Sequence, residues 1–319
     1  MRLFFTKSLL PPVTTIKLGL SVTSLILLAS ACGTPPAETA PPTHTTPHPT
    51  TVDLEARITA FTSGLDERRH YRPPGYRERT AVAKGTALLL DGRRRDAGRE
   101  LARAGYALTE LTDRPSGRRY AEIAERTGAQ PARGWGRVYV ELSSAPKWSV
   151  QVPHPVADAR SEMPAVRLVR AAPGGVLVLA GAHRTAGRGN AADVAHRTDT
   201  VFHTVVRALV DRKLPGVQLH GFADKSAPGF DVVASTGAGT AALADGRSFA
   251  DAMREQELRI CRAWARRCEL AGRTNVQGRA AAAAEVPFLH VEFSRTVRDD
   301  ETRIRKVVRS LTKLVKRWS

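Results

Sequence analysis

The chain has 319 residues and a formal charge of +18, with 49 Lys+Arg against 31 Asp+Glu. Nearly all of the excess is arginine, a field that attracts anionic lipid, anionic polymers or acidic substrates, although an Arg/Ala bias is also what a GC-rich genome produces. The sequence lacks helix-turn-helix, zinc-finger and aromatic-rich strand motifs, so no nucleic-acid partner is expected; without a GxGxxG or P-loop, nucleotide chemistry has no support either.

The N-terminus carries Arg2, Lys7 and Lys17 and no acid before Cys32. The apolar run Leu18 to Leu28 follows, then Ala29-Ser30-Ala31-Cys32. A basic start, an apolar middle and small residues at a cut site are the parts of an export signal. The run is shorter than the roughly 20 apolar residues of a membrane span. The cut site is similar to a bacterial lipobox, with Ala29 in the usual Leu position and Leu28 one place early. That resemblance implies cleavage before Cys32, acylation (palmitate) of Cys32, and a lipoprotein anchored on the extracytoplasmic face of the cell membrane. The alternative is an ordinary signal peptide followed by a coincidental cysteine. Residues 32–52 are expected to be a linker: Gly33 to Thr51 is almost all Pro, Thr, Ala and His, too poor in large apolar groups to offset the entropy of ordering. His44 and His48 are read as solvated linker residues.

About 265 residues remain, enough for one large domain or one domain plus a small one. Residues 53–134 are expected to form an N-terminal, mostly helical accessory region. Asp53 is placed to cap a first helix, Ala81 to Leu90 and Ala97 to Tyr106 carry apolar residues at helical spacing, and Tyr106–Leu111 and Arg119–Ala124 are strand candidates joined by the turn-like Asp113-Arg114-Pro115-Ser116-Gly117. Residues 135–319 are expected to form an α/β domain. Its strands are Val138–Leu142, Trp148–Val152, Val176–Ala180, Val217–Leu219, Asp231–Ala234 and Phe288–Phe293. Its helices are Ser161–Arg170, Thr198–Asp211, Ser248–Trp264 and Asp299–Val315. Alternating strands and helices predict a three-layer sandwich around a mainly parallel or mixed sheet. Ala280–Ala284 reads as helix or loop filler. Cys261 and Cys268 would lie about 10 Å apart on one straight helix, too far for a disulfide, so a bridge requires this segment to bend.

Ligand sites in open α/β sheets lie beyond the carboxyl ends of the strands, and four apolar runs end in or are interrupted by chemistry there. They are Val150-Gln151-Val152-Pro153-His154-Pro155 with Asp158, Ser161 and Glu162 behind it; Leu179-Ala180-Gly181-Ala182-His183-Arg184; Val217-Gln218-Leu219-His220-Gly221-Phe222; and Phe288-Leu289-His290-Val291-Glu292-Phe293-Ser294-Arg295. A catalytic zinc site needs three His or carboxylate ligands and an open position for water. His154, His220 and an acid, either Asp158 or Glu162, supply such a set. Glu292, flanked by Val291 and Phe293, is the candidate general base, with burial available to raise its pKa. Arg184 is a candidate clamp for a substrate carboxylate, and Asn275, Gln277 and Arg279, in a polar loop, are candidates to recognise amide or carboxylate groups. His196 and His203 are read as helix-surface residues, with an extra polar contact as the alternative. A serine hydrolase is disfavoured, because there is no Gly-x-Ser-x-Gly elbow and Ser235-Thr236-Gly237 lacks its strand–Ser–helix setting.

The order Pro153-His154-Pro155 with Asp158 and Ser161-Glu162, then Leu219-His220-Gly221, then Leu289-His290-Val291-Glu292-Phe293-Ser294 followed by Arg298, resembles zinc amidohydrolases and carboxypeptidase-like hydrolases. Poly-gamma-glutamate hydrolases, N-formylglutamate amidohydrolases and succinylglutamate desuccinylases are the members it is most similar to. The resemblance covers about residues 148 to 300. It implies a phosphorylase/hydrolase-like fold, zinc held by a His-plus-acid motif and a later His, and a Glu on a late strand that activates water. The first motif departs from the usual Gly-rich or His-x-x-Glu form, and this leaves the acid ligand open between Asp158 and Glu162. A cell-surface hydrolase of an amide or peptide bond near a carboxylate is therefore expected, with a cell-wall or glutamyl-type substrate. The alternative is a non-catalytic surface lipoprotein that binds anionic cell-envelope material.

Overall fold

The computed structural model describes residues 50–65, 70–126 and 133–319. The expected signal (1–31), the expected acylation site Cys32 and the expected linker as far as residue 49, with His44 and His48, lie outside the described residues. In chain order the elements are β1 (Thr50–Val52), α1 (Leu54–Ser63), α2 (Tyr76–Leu90), α3 (Arg94–Arg103), β2 (Tyr106–Asp113), β3 (Arg119–Glu125), β4 (Arg137–Glu141), β5 (Trp148–Val152), α4 (Glu162–Ala171), β6 (Gly175–Leu179), α5 (Val201–Asp211), β7 (Gly216–Phe222), β8 (Val232–Ser235), α6 (Leu243–Glu255), β9 (Ile260–Arg262), α7 (Val276–Ala283), β10 (Phe288–Ser294), α8 (Arg295–Asp299) and α9 (Glu301–Lys316).

These strands form one mixed sheet in the order β1-β2-β3-β4-β6-β5-β7-β10-β8-β9. Its centre, β6-β5-β7-β10, is parallel. Antiparallel β4 and β8 flank that centre. Helices cover both faces, which is why β6 reads Gly-Val-Leu-Val-Leu without polar alternation. Leu177 and Leu179 pack into the core shared with α1, α4, α6 and α9. Val176 and Val178 point the other way, into the core with α2, α3, α5 and α7. Each such fully buried aliphatic side chain contributes about 1.5–3 kcal/mol. The α/β sandwich expected from the alternation of elements is the fold observed. Among the described residues no helix is long and apolar enough to cross a membrane.

Three local expectations change. The linker does not extend to residue 52: β-branched Thr50, Thr51 and Val52 pair in parallel with Leu111, Thr112 and Asp113. The sheet also runs across the expected boundary at residue 134, because β3 pairs with β4; the 53–134 segment thus contributes strands to the main sheet as well as α1–α3. Finally, the helix expected over Ser248–Trp264 starts earlier and stops at Glu255. Glu257 adopts a left-handed φ of 61° and Leu258 N–H closes back on the Met253 carbonyl. The chain then re-enters the sheet as β9, parallel to β8. This bend brings Cys261 and Cys268 into a disulfide, with Cα atoms 6.1 Å apart.

α1 is fixed at its start by two aspartates. Asp53 Oδ1 accepts the Glu55 and Ala56 N–H groups as the expected cap. Asp113, fully buried at the end of β2, accepts from Leu54 N–H, from Ser116 and from Arg170 of α4. Burial alone would raise the Asp113 pKa; the hydrogen bonds from Arg170, Ser116 and Leu54 N–H outweigh it and hold the carboxyl below its ordinary value. A carboxyl depressed in the folded state adds stability that is complete above the unfolded-chain pKa of about 3.9 and is lost as pH falls through the folded value. Asp113→Ala is expected to lower the urea-unfolding free energy by about 2 kcal/mol at pH 7. The gap from the wild type should shrink below about pH 4. A gap of the same size at pH 3 would show that the charge is not what matters.

Candidate metal centre

The centre is assembled where β5, β7 and β10 carry polar side chains on one face of the sheet. After Val152 the chain leaves β5 and turns, with Asp158 N–H donating to the His154 carbonyl and Ser161 N–H to the Asp158 carbonyl. This turn sets the His154 and Asp158 side chains side by side. On β7 and β10, which run parallel, His220 stands directly opposite Glu292 and Gln218 opposite His290. Period-two alternation puts all four on the same face.

His154 Nδ1 lies 3.5 Å and His220 Nδ1 3.3 Å from Asp158 Oδ2. The His154 and His220 rings meet edge-on at 5.2 Å, and His220 stacks on His290 at 4.4 Å. His290 Nε2 lies 3.8 Å from Glu292 Oε1. All five side chains are buried. Two overlapping sets could each hold a metal, His154–Asp158–His220 and His220–His290–Glu292, the ligand atoms of each lying within 4.8 Å of one another.

The first set fits a divalent ion chemically. His154 Nε2 is 2.9 Å from Asp193 Oδ1, and His220 Nε2 is 2.7 Å from Gln218 Oε1. With each Nε2 engaged by an oxygen, each Nδ1 is left to face Asp158. His154 Nδ1 is buried without a hydrogen-bond partner, the condition of a ligand atom whose partner is an ion. Two imidazoles and one carboxylate, with partners that fix the ring orientations, are a donor set able to hold a divalent ion.

The electrostatics separate the groups. Burial would raise the Asp158 carboxyl, but His154 and His220 hold it well below the carboxylate range. Asp193 is likewise held down, against burial, by His154 and His196. Burial lowers His220 and lowers His290 still further. Burial would also lower His154, but Asp158 and Asp193 outweigh it and raise that imidazole. Glu292 is pushed well above its ordinary value, first by burial and then by the charge of Asp158.

His154, Asp158 and His220 lie together, and Glu292 stands beside His220 and His290. Glu162 does not join them. Arg160, at a left-handed φ of 68°, separates Asp158 from α4, so the four-residue spacing that would align Asp158 and Glu162 on one helix face does not apply. Glu162 instead accepts a hydrogen bond from Thr62 on α1 and is raised by burial. Arg184 reaches the rim of the site, its Nη2 3.0 Å from Asp193 Oδ2. Asn275 and Gln277 are buried beneath His220: Asn275 donates to Gln218, and Gln277 donates to the Val194 carbonyl. Arg279 is exposed and lines, with Arg247, Arg273 and Trp264, a cavity of about 640 Å³. His196 contacts Asp193, and His203 is buried against Gln277 rather than on the surface, its pKa lowered to about 4 by burial.

Three residues of the centre have no counterpart in the spacing argument. Asp193 comes from a loop 39 residues from His154, Gln218 is a neutral residue in an apolar run, and His290 stood inside a motif where Glu292 had the assigned role. The period-two relation of His290 to Glu292, and of Gln218 to His220, is the signal that was available for two of them.

No family model and no curated protein matches the sequence. Among solved structures, the chain is similar to a bacteriophage poly-gamma-glutamate hydrolase (12% identity over 57% of this chain and 88% of that one, TM-score 0.43). It is also similar to an N-formylglutamate amidohydrolase from Ralstonia eutropha (13% identity, 55% and 95%, TM-score 0.37). A third is an aspartoacylase family protein from Mesorhizobium loti (13% identity, 65% and 70%, TM-score 0.42). These are partial likenesses; the functional reading rests on the chain's own side chains.

Proposed function

We propose that this chain is a zinc-dependent hydrolase of an amide or peptide bond near a carboxylate, with a cell-wall or glutamyl-type substrate. The observation that carries the reading is the convergence of His154 Nδ1, His220 Nδ1 and Asp158, with the buried Glu292 opposite His220. When bound there, zinc supplies Lewis acidity, polarising an amide carbonyl and acidifying water. His154, His220 and Asp158 would hold it. Glu292 takes the proton of the attacking water on its carboxylate and delivers it to the leaving nitrogen, the task of a general base that becomes a general acid. Arg184 keeps one Nη on Asp193 and turns its remaining N–H groups to a substrate carboxylate, a geometry suited to bidentate contact. An export signal and acylation of Cys32 would place this activity outside the cytoplasm, on the membrane surface, where the net positive charge of the chain would draw in anionic polymer.

The cavity walled by Arg247, Arg273 and Arg279 favours a second reading, a non-catalytic lipoprotein that binds anionic envelope material. One experiment separates the two. Protein lacking residues 1–32 is purified without chelator, its metal content is measured, and it is offered γ-glutamyl and cell-wall peptides. One zinc per chain and chelator-sensitive hydrolysis are the expected results. Metal-free protein that binds anionic polymer, and that neither takes up added zinc nor cleaves any peptide, would leave the second reading.

A further inference from the structure

We propose that Gln218, held in a single orientation by Asn275 and Gln277, is the positioning residue that fixes His220 in its Nε2–H tautomer and so delivers Nδ1 to the metal. The inference rests on the proposed zinc site for its purpose, but the tautomer itself is a property of the metal-free chain.

An amide side chain can be reversed without changing its shape, so its direction must be set by its partners. Here two backbone groups set it from opposite ends. The Gly278 N–H can only donate, and it donates to Asn275 Oδ1 at 2.9 Å as the cap of α7. Asn275 therefore turns Nδ2 towards Gln218 and donates to Gln218 Oε1. At the other end the Val194 carbonyl can only accept, and it takes Gln277 Nε2 at 2.8 Å. Gln277 Oε1 is thereby left to accept from Gln218 Nε2, at 3.3 Å, while the same Nε2 donates to Gln151 Oε1 at 3.0 Å. Both chains of bonds give the same answer: Gln218 presents its oxygen to His220. Two acceptors face His220, Gln218 Oε1 at 2.7 Å from Nε2 and Asp158 Oδ2 at 3.3 Å from Nδ1, and the shorter contact assigns the proton of the neutral ring to Nε2. The lone pair is then on Nδ1, which points at Asp158.

Gln218, Asn275 and Gln277 are each buried, at 0%, 2% and 0% exposure. Reversing one amide would leave unmatched donors or acceptors where water cannot compensate. The network thus does for a neutral imidazole what a carboxylate does behind many ligand histidines, without adding a negative charge beneath the site. It also gives Asn275 and Gln277 a role inside the protein, below the metal ligands.

The test uses Asn275→Asp. Aspartate caps a helix as well as asparagine, so α7 keeps its start, but the donor to Gln218 Oε1 is replaced by an acceptor. Gln218 should then turn its amide, present N–H to His220, and drive the imidazole to the Nδ1–H form. Nitrogen NMR of 15N-histidine-labelled, metal-free protein is expected to show His220 as Nε2–H in the wild type and Nδ1–H in the variant. Zinc affinity, measured by competition with a chromophoric chelator, should fall about 10–100-fold, and thermal unfolding should move to lower temperature, because the turned Gln218 no longer donates to Gln151 and Gln277. A wild-type His220 protonated on Nδ1, or an unchanged tautomer in a folded Asn275→Asp protein, would overturn the proposal. If the variant does not fold, the wild-type spectrum still decides. The two readings fail separately: a His220 that is Nε2–H but whose signals ignore added zinc would sink the metal site and leave the positioning argument standing.

Discussion

Glu292→Gln is expected to keep the metal and lose turnover, by about 10²–10⁴-fold in kcat. The substitution preserves shape and removes the carboxylate that accepts a proton. Its counterpart across the sheet, His220, belongs to the ligand set with His154 and Asp158, whereas Glu292 comes from a separate strand and makes no contact with His154 or Asp158 short enough to be an ion pair or hydrogen bond among the described residues. Zinc content should stay at the wild-type value, and KM should change less than kcat because the residue acts in the transition state. Wild-type turnover by Glu292→Gln on an identified substrate would remove the general base from the mechanism. Loss of zinc together with turnover would point to the other overlapping set, in which Glu292 is a ligand beside His220 and His290.

The parts of this architecture that could be read from the sequence were those governed by local periodicity. The run Val176–Leu179 announces a strand covered on both faces, and the apolar spacing of Ile304, Val307, Leu311 and Leu314 announces the core side of α9. His154, His220 and Glu292 were legible because each interrupts or follows an apolar run at the carboxyl end of a strand. What periodicity could not give was anything settled by a bend. The left-handed Arg160 leaves Asp158 beside the two imidazoles and carries Glu162 away from them. The left-handed Glu257 ends α6 and makes room for β9 and the disulfide. Asp193 was equally out of reach, since its pairing with His154 depends on the path of a long loop. The buried roles of Asn275 and Gln277 follow from their neighbours in space, and a polar loop composition gives no sign of whether such side chains point out to a ligand or in to the sheet.

The sharpest test of the ligand set follows from that same bend. His220 belongs to both overlapping sets, so His220→Ala should lose zinc and activity together, whichever set the ion prefers. The loss of affinity should exceed the roughly 100-fold that removal of an outer partner reaches. Asp158→Asn, which keeps the size of the side chain but removes the charge between the two Nδ1 atoms, should weaken zinc strongly only if the His154–Asp158–His220 set is used. Glu162→Gln supplies the contrast. Glu162 lies on the far side of the Arg160 turn, accepts from Thr62, and is raised by burial towards its neutral form; a neutral amide there should leave zinc affinity at the wild-type value. If instead Glu162→Gln released the metal while Asp158→Asn kept it, the turn at Arg160 would have to open in solution, α4 would begin a turn earlier, and the acid ligand would be the one that helical spacing alone suggests.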